Sequence, residues 1–221
     1  MRAACIAARN EEATIGALVE KLVADKWHVI VINDGSTDDT AWNALTAGAH
    51  VIHQYPSRGI GPSLQLAWQQ ALKVGADVIV QLDAGGSHDP ARAKDMAALI
   101  NFGLADMVIG SRFCTDGRYV GRKWRALCSL LASALLNFAS HGKFSDWTSG
   151  YRAFSRETLT YLVGLNYQQT MHAWQIEVLG RARERNYQIV ETPITYAAGK
   201  SSLRLGGVMD AIMEWLWLFN R

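Results

Sequence analysis

Cysteine, proline and long apolar runs are all scarce in this chain, and each shortage excludes something. Three cysteines among 221 residues, Cys5, Cys114 and Cys128, are too few and too scattered for a disulfide framework. None forms a CxxC pair or a Cys/His cluster with zinc spacing, so they read as thiols of a reducing compartment. The 4 prolines and 19 glycines fall in no repeat, which rules out a collagen-like or low-complexity fibre. No run reaches the ~18–20 apolar residues that span a bilayer. The apolar start Ala3–Ala8 is ended by Arg9-Asn10-Glu11-Glu12, so no secretory signal is expected. An excess of one charge is missing too. With 22 basic against 20 acidic residues, nothing marks a nucleic-acid binder.

What is present is enough apolar material, 49% of the residues, to bury a full core, and too little charge for disorder. Two periodicities alternate in the first half. Ala3–Ala8 is a short apolar strand, and Ile15, Leu18, Val19, Leu22 and Val23 then recur at helical spacing. Strands at Val29–Ile32, His50–His53, Asp77–Leu82 and Asp106–Ile109 are separated by a short helix ending near Gly48 and helices over Pro62–Val74 and Ala91–Phe102. Continuous apolar strands between helices predict an α/β fold, a mostly parallel sheet covered by helices on both faces. Ligands of such sheets sit at the carboxyl ends of the strands. The segments there are Arg9–Glu11, Asn33–Thr37, Asp83–Asp89 and Gly110–Arg112.

In the second half, Arg118, Arg122, Lys123 and Arg125 precede the apolar stretch Ala126–Ala139, too short to span a bilayer. Its polar residues Ser129, Ser133, Asn137 and Ser140 share one stripe, leaving the other faces apolar. Leu203–Phe219 repeats the theme with Trp215, Trp217, Leu218 and Phe219. Two amphipathic helices, over 122–140 and 203–220, are expected to lie in a membrane interface. Burial against each other or a dimer contact is the alternative. No linker or internal repeat divides the chain, so residues 1–221 read as one domain.

Seven segments in order resemble the family 2 glycosyltransferases, inverting enzymes of the GT-A fold. The likeness is strongest to the branch that moves a hexose onto dolichyl or undecaprenyl phosphate, the dolichol-phosphate mannose synthase type. Cys5-Ile-Ala-Ala-Arg-Asn-Glu-Glu12 matches the family's first strand and turn, with Ala7 for the usual Pro and Arg9 for the usual Tyr. Val31–Thr40 matches Val-Asp-Asp-Gly-Ser-Thr-Asp with Asn33 for the first Asp, and Gln81–His88 occupies the place of the metal-binding Asp-x-Asp. Val108–Arg112, Asp146–Phe154, Gln175–Glu177 and Thr192–Thr195 follow.

The resemblance implies a donor site for a nucleotide sugar, of GDP-mannose or UDP-glucose type, lined by Ala7, Arg9, Glu11, Asn33, Asp34, Arg58, Asp83, Ala84, Gly85, Lys200 and Arg204. Arg9 suits the base and Glu11 the ribose hydroxyls. Asn33 and Asp34 offer acceptors to the base; taken alone Asn33–Thr37 reads equally well as an Asx turn, and the other motifs favour binding. Asp83 is the matching ligand for Mg2+ or Mn2+, with Ser87 and His88 as further candidates, because the second Asp of the motif is Gly85. Arg112, Arg125 and Ser129 match positions that grip an acceptor phosphate. Asp83, Arg112 and Asp146 are the expected catalytic set, Asp146 orienting the site for a phosphate acceptor or acting as base for a hydroxyl acceptor. Family members carry Arg and Lys where Tyr196 and Ser202 stand, so Lys200 and Arg204 are expected to replace them. The implied activity is hexose transfer to a polyprenyl phosphate at the cytoplasmic face of a membrane, by a peripheral protein open to self-association or a membrane-subunit partner. A glycan or protein hydroxyl as acceptor, and a weakened GT-A domain serving as a binding or scaffold subunit, are the alternatives. Gly85, Tyr196 and Ser202 favour the scaffold; the retained polar set opposes it.

Overall fold

The computed structural model describes residues 1–167 and 173–197. Its first half follows the alternation of apolar strands and amphipathic helices: β1 (Arg2–Ala8), α1 (Ile15–Ala24), β2 (His28–Asn33), α2 (Thr40–Thr46), β3 (His50–His53), α3 (Ile60–Lys73), β4 (Val78–Gln81), α4 (Arg92–Asn101) and β5 (Met107–Ser111). The second half supplies β6 (Arg118–Val120), α5 (Lys123–Ser140), β7 (Arg152–Ser155), α6 (Arg156–Val163), α7 (Ala173–Glu184), β8 (Ile189–Pro193) and β9 (Thr195–Ala197). Element ends shift from the sequence expectation by one or two residues; α3, for example, begins ahead of Pro62, which its first turn tolerates.

One sheet runs β3-β2-β1-β4-β7-β5-β8, and β6 pairs with β9 in a small parallel ribbon. All strands of the large sheet are parallel except β7, which enters antiparallel between β4 and β5. That reversal matters for function. It turns the start of β7, and the loop 146–151 before it, toward the edge where the parallel strands end.

Strands buried on both faces need a helical layer on each. Ile15, Leu18, Val19 and Leu22 of α1 join Ala93, Met96 and Ile100 of α4 over Ile6, Val31, Val80 and Val108. On the other face Leu64 and Trp68 of α3, Leu159 and Leu162 of α6, and Trp174 and Leu179 of α7 cover Cys5, Ile30, Ile79 and Ile109. Three of the eight tryptophans, Trp68, Trp147 and Trp174, are fully buried here, and Trp68 packs on Trp174 at 4.8 Å and on Phe154 at 5.1 Å between ring centroids. Cys5 is buried in the same layer, and burial pushes its thiol far above the usual range, so it is inert.

Helix α5 is amphipathic in the reverse sense to the others. Its polar stripe faces the protein: Ser133 Oγ accepts from Trp147 N (3.2 Å), and Asn137 Oδ1 accepts from Trp147 Nε1 (2.8 Å) and Phe144 N (3.1 Å). Its apolar residues Leu127, Leu130, Leu131, Leu135 and Phe138 are exposed, Phe138 by 84%. Among the described residues no helix is long and apolar enough to cross a membrane.

Candidate active site

Where β1 and β2 end side by side, their loops are tied together by short polar side chains. Asn10 Oδ1 accepts from Thr37 N (2.9 Å), and Asn10 N donates to Ser36 Oγ (3.1 Å). Glu11 N donates to Thr40 Oγ1 at 2.7 Å. Asn33 makes the Asx turn, Oδ1 accepting from Ser36 N at 3.1 Å, while Nδ2 meets His53 Nδ1 at 3.2 Å. Asp34 is buried and accepts from four donors: Gln54 Nε2, Ser57 Oγ and Arg58 N at 2.8 Å, and Gly59 N at 3.0 Å. Burial pushes its pKa up, but the donors outweigh burial and hold it below the ordinary carboxylate value. Four donors fill a carboxylate's acceptor sites. Asp34 therefore shapes the 54–59 loop. Arg9, exposed beyond β1, reaches the same loop through Nη1 to Ser57 Oγ at 3.2 Å, so Arg9, Asp34 and Arg58 converge.

Asp83 follows β4 with its side chain about one-third exposed. Two glycines leave room around it. A Cβ on Gly150 would lie 3.1 Å from Asp83 Oδ1, and a Cβ on Gly85 would lie 3.4 Å from both carboxylate oxygens of Glu11. Residue 85 thus puts no side chain over the Glu11 carboxylate, which accepts from Thr14 Oγ1 at 3.4 Å and lies near enough to Asp83 to feel its charge. Burial raises the Glu11 pKa, and the charge on Asp83 raises it further against the Thr14 hydrogen bond. Ala84 is buried, its carbonyl accepting from Thr14 Oγ1 at 2.9 Å. Ala7 is half-buried in β1, opposite Ile32.

His88 is a prop of this loop. It is buried, Nδ1 accepts from Asp83 N at 3.4 Å, and the ring packs 4.8 Å from Tyr151 and 5.2 Å from Tyr196. Burial lowers its pKa despite the neighbouring Asp83 carboxylate, which keeps the imidazole neutral. Ser87 is also buried, and its carbonyl accepts from Ala197 N at 3.0 Å.

Arg112 leaves the end of β5 and meets Asp146 from the loop before β7. Nε donates to Asp146 Oδ2 and Nη2 to Asp146 Oδ1, both at 2.7 Å; Nη2 also reaches Thr148 Oγ1 at 2.6 Å, and Arg112 N donates to Oδ2 at 3.1 Å. The Asp146 side chain is 0% exposed and that of Arg112 10%. Burial works against the guanidinium charge, but Asp146 more than restores it, so Arg112 stays cationic. Glu191 of β8 fixes the carboxylate from behind, accepting from Ser145 N (2.9 Å), Ser145 Oγ (2.8 Å) and Asp146 N (2.9 Å). The same loop is stitched to the core by Arg152, a fully buried guanidinium donating to the carbonyls of Ser149, Gln175 and Trp147 at 3.0, 2.6 and 2.9 Å. Burial lowers its pKa to about 9, against the opposing pull of the Asp146 charge.

Asp83, Glu11, Gly85, His88, Arg112 and Asp146 are thus brought together at the strand-end edge. Arg125 and Ser129 sit in the first turns of α5, the Arg125 guanidinium over the Trp124 ring at 5.4 Å. Lys200, Ser202, Arg204 and the helix expected over 203–220 lie outside the described residues. Sequence reasoning missed Glu191, Phe113 and Tyr119; it named Tyr196 only as a departure from the family and held Thr148 only as part of the Asp146–Phe154 segment. Glu191 directly precedes the Thr192–Thr195 segment, which was the one signal that could have found it.

Residues 3–162 match the family model described as glycosyl transferase family 2. Polyprenol monophosphomannose synthase of Mycolicibacterium smegmatis is 28% identical, over 93% of this chain and 83% of that protein. Undecaprenyl-phosphate mannosyltransferase of Micrococcus luteus is 30% identical, over 84% of this chain and 79% of its own. Among solved structures, glucosyl-3-phosphoglycerate synthase from Mycobacterium tuberculosis, in complex with Mn2+, UDP and glucosyl-3-phosphoglycerate, superposes with a TM-score of 0.78 at 22% identity, covering 99% of this chain and 79% of that one. That likeness establishes the GT-A architecture.

Proposed function

The chain belongs to the family 2 glycosyl transferases, and from that premise we propose that it moves a hexose from a nucleoside-diphosphate sugar to a polyprenyl phosphate with inversion. Two relatives are named for mannosyl transfer to such lipids. The observation that carries the acceptor class is the state of Asp146. A hydroxyl acceptor needs a base that can take its proton. Asp146 is fully buried with both oxygens engaged by Arg112, so neither is placed to receive an acceptor's proton. A phosphate monoester is already an anion at neutral pH and asks only for alignment and charge masking. Arg112, held cationic, supplies both.

In this reading an acceptor phosphate oxygen attacks the anomeric carbon on the face opposite the diphosphate. The new C–O bond forms as the old one breaks, and the nucleoside diphosphate leaves with the bonding pair. Arg9, Glu11 and the 54–59 loop, with Arg58, hold the nucleoside; Asn33 and Asp34 set the shape of that loop rather than reaching for the base. Asp83, with room left beside it by Gly150, is the carboxylate that would take a hard cation. Mg2+ or Mn2+ bound there supplies charge neutralisation for the leaving diphosphate. Ser87 and His88 are better explained as props, being buried and already engaged.

The outward apolar face of α5, with exposed Arg118, Arg122 and Lys123 near its start, fits the interface of a membrane carrying anionic lipid. We place the protein there as a peripheral enzyme on the cytoplasmic face, where nucleotide sugars are at hand; a second copy or a membrane subunit on this face is the rival occupant. The deciding experiment presents labelled GDP-mannose and UDP-glucose with a short-chain polyprenyl phosphate and follows label into the organic phase. Label appearing only in water-soluble glycan or protein overturns the reading.

A further inference from the structure

Strand β9 carries Tyr196 against both halves of the cleft. Its ring lies 5.4 Å from Arg112 Cζ, stacks on Tyr119 at 5.7 Å with 15° between the planes, and meets the His88 ring at 5.2 Å. Phe113 completes the cluster, 5.0 Å from the same Cζ and 6.3 Å from Tyr119. Asp146 and Thr148 take Nε and Nη2 of Arg112 in the guanidinium plane, which leaves Nη1 as the nitrogen uncommitted among the described residues. In-plane bonds fix where the guanidinium points but resist tilting only weakly. An aromatic face resists the tilt, and it does so more strongly where water is excluded, as it is around a side chain only 10% exposed.

We propose that Tyr196 is a positioning residue for the acceptor phosphate: its ring holds the Arg112 plane so that Nη1 meets the incoming anion. The proposal rests on the reading of Arg112 as an acceptor contact and adds what keeps that contact aimed. Tyr196 also links the two substrates' loops, since β9 pairs with β6 on one side and Ala197 N bonds the Ser87 carbonyl on the other.

The test is steady-state kinetics of the full chain with short-chain polyprenyl phosphate varied at saturating nucleotide sugar, beside calorimetric affinity for the nucleoside diphosphate. Tyr196→Phe keeps the ring and should keep the acceptor KM. Tyr196→Leu keeps bulk without the π face and should raise acceptor KM about 30-fold, the size of one desolvated cation–π contact, with nucleotide affinity unchanged. In an Arg112→Ala background the same Leu substitution should add nothing, because the group it orients is gone. A wild-type acceptor KM in Tyr196→Leu, or a full additional loss in the double variant, overturns the proposal while leaving the role of Arg112 intact. An unchanged acceptor KM in Arg112→Ala alone defeats the acceptor reading itself.

Discussion

Replacing Asp146 by Asn separates a strut from a base. The substitution keeps shape and removes the charge that faces Arg112 across two 2.7 Å bonds. Because the carboxylate is 0% and the guanidinium 10% exposed, water cannot replace the lost partner. Removing one member of a buried pair costs roughly 3–5 kcal/mol, against about 5–15 kcal/mol for a whole domain. At about 2–4 °C per kcal/mol for a chain of this size, melting should fall by roughly 6–20 °C. Replacing both members by apolar residues, Arg112→Met with Asp146→Leu, should recover much of that stability without restoring transfer. A general base behaves otherwise, since Asn there would abolish turnover and leave melting nearly untouched. Thermal melts of the single and double variants, read beside nucleotide affinity, decide it. A wild-type melting temperature for Asp146→Asn would refute the reasoning.

Asp83→Ala should abolish transfer and weaken Mn2+ binding by calorimetry while leaving the melt unchanged, since the side chain bears on the cleft rather than the core; retained turnover that is also indifferent to EDTA would remove the cation from the site. Asp34 has its pKa held below the ordinary value, so its stabilisation is full above the unfolded pKa of about 3.9 and is lost as pH falls through the folded value; Asp34→Asn should lower stability at pH 7 and flatten its loss on acidification, and an unchanged acid profile would count against the clamp. Leu131→Ser with Leu135→Ser removes two side chains each about half exposed, 54% and 52%. At roughly 1 kcal/mol apiece for the surface still to be buried, vesicle binding should weaken about 30-fold in cosedimentation with vesicles containing anionic lipid, with the melt unmoved; a shift in oligomeric state instead would give the face to a second copy.

The parallel half of the sheet was readable because its signals are local. Runs such as Val29–Ile32 are apolar on both faces and are bounded by turn residues, and α1 carries its core stripe at fixed spacing. The later elements carry no comparable local mark. β7 is four residues long and lies between β4 and β5, strands that precede it by some 70 and 40 positions, so nothing near Arg152–Ser155 states either its partners or its direction. β6 and β9 are three residues each; they pair with one another, and β9 also bridges to the loop at Ser87 and His88.

The site divides along the same line. Asp83, Arg112 and Asp146 were legible because each ends a strand or sits in a recognisable segment, whereas their geometry depends on contacts across the chain. Arg112 and Asp146 meet over 34 positions, and Glu191 reaches Asp146 over 45. Helix α5 shows how a correct pattern leaves its direction open. Its stripe of serines and Asn137 was visible, but the usual rule sends such a stripe to solvent. Here it turns inward because the loop after the helix brings buried donors to it, the Trp147 indole and the backbone N–H groups of Phe144 and Trp147. Buried donors must find acceptors, and an apolar stripe offers none. Leu127, Leu130, Leu131 and Leu135 are therefore left outside by hydrogen-bond demand within, while Leu136 packs into the core, and the surface that fits a lipid interface follows from how the loop carrying Asp146 is anchored. The outward apolar face of α5 and the placing of Asp146 against Arg112 thus rest on one short segment, 144–148, so a change at Asn137 should disturb both together.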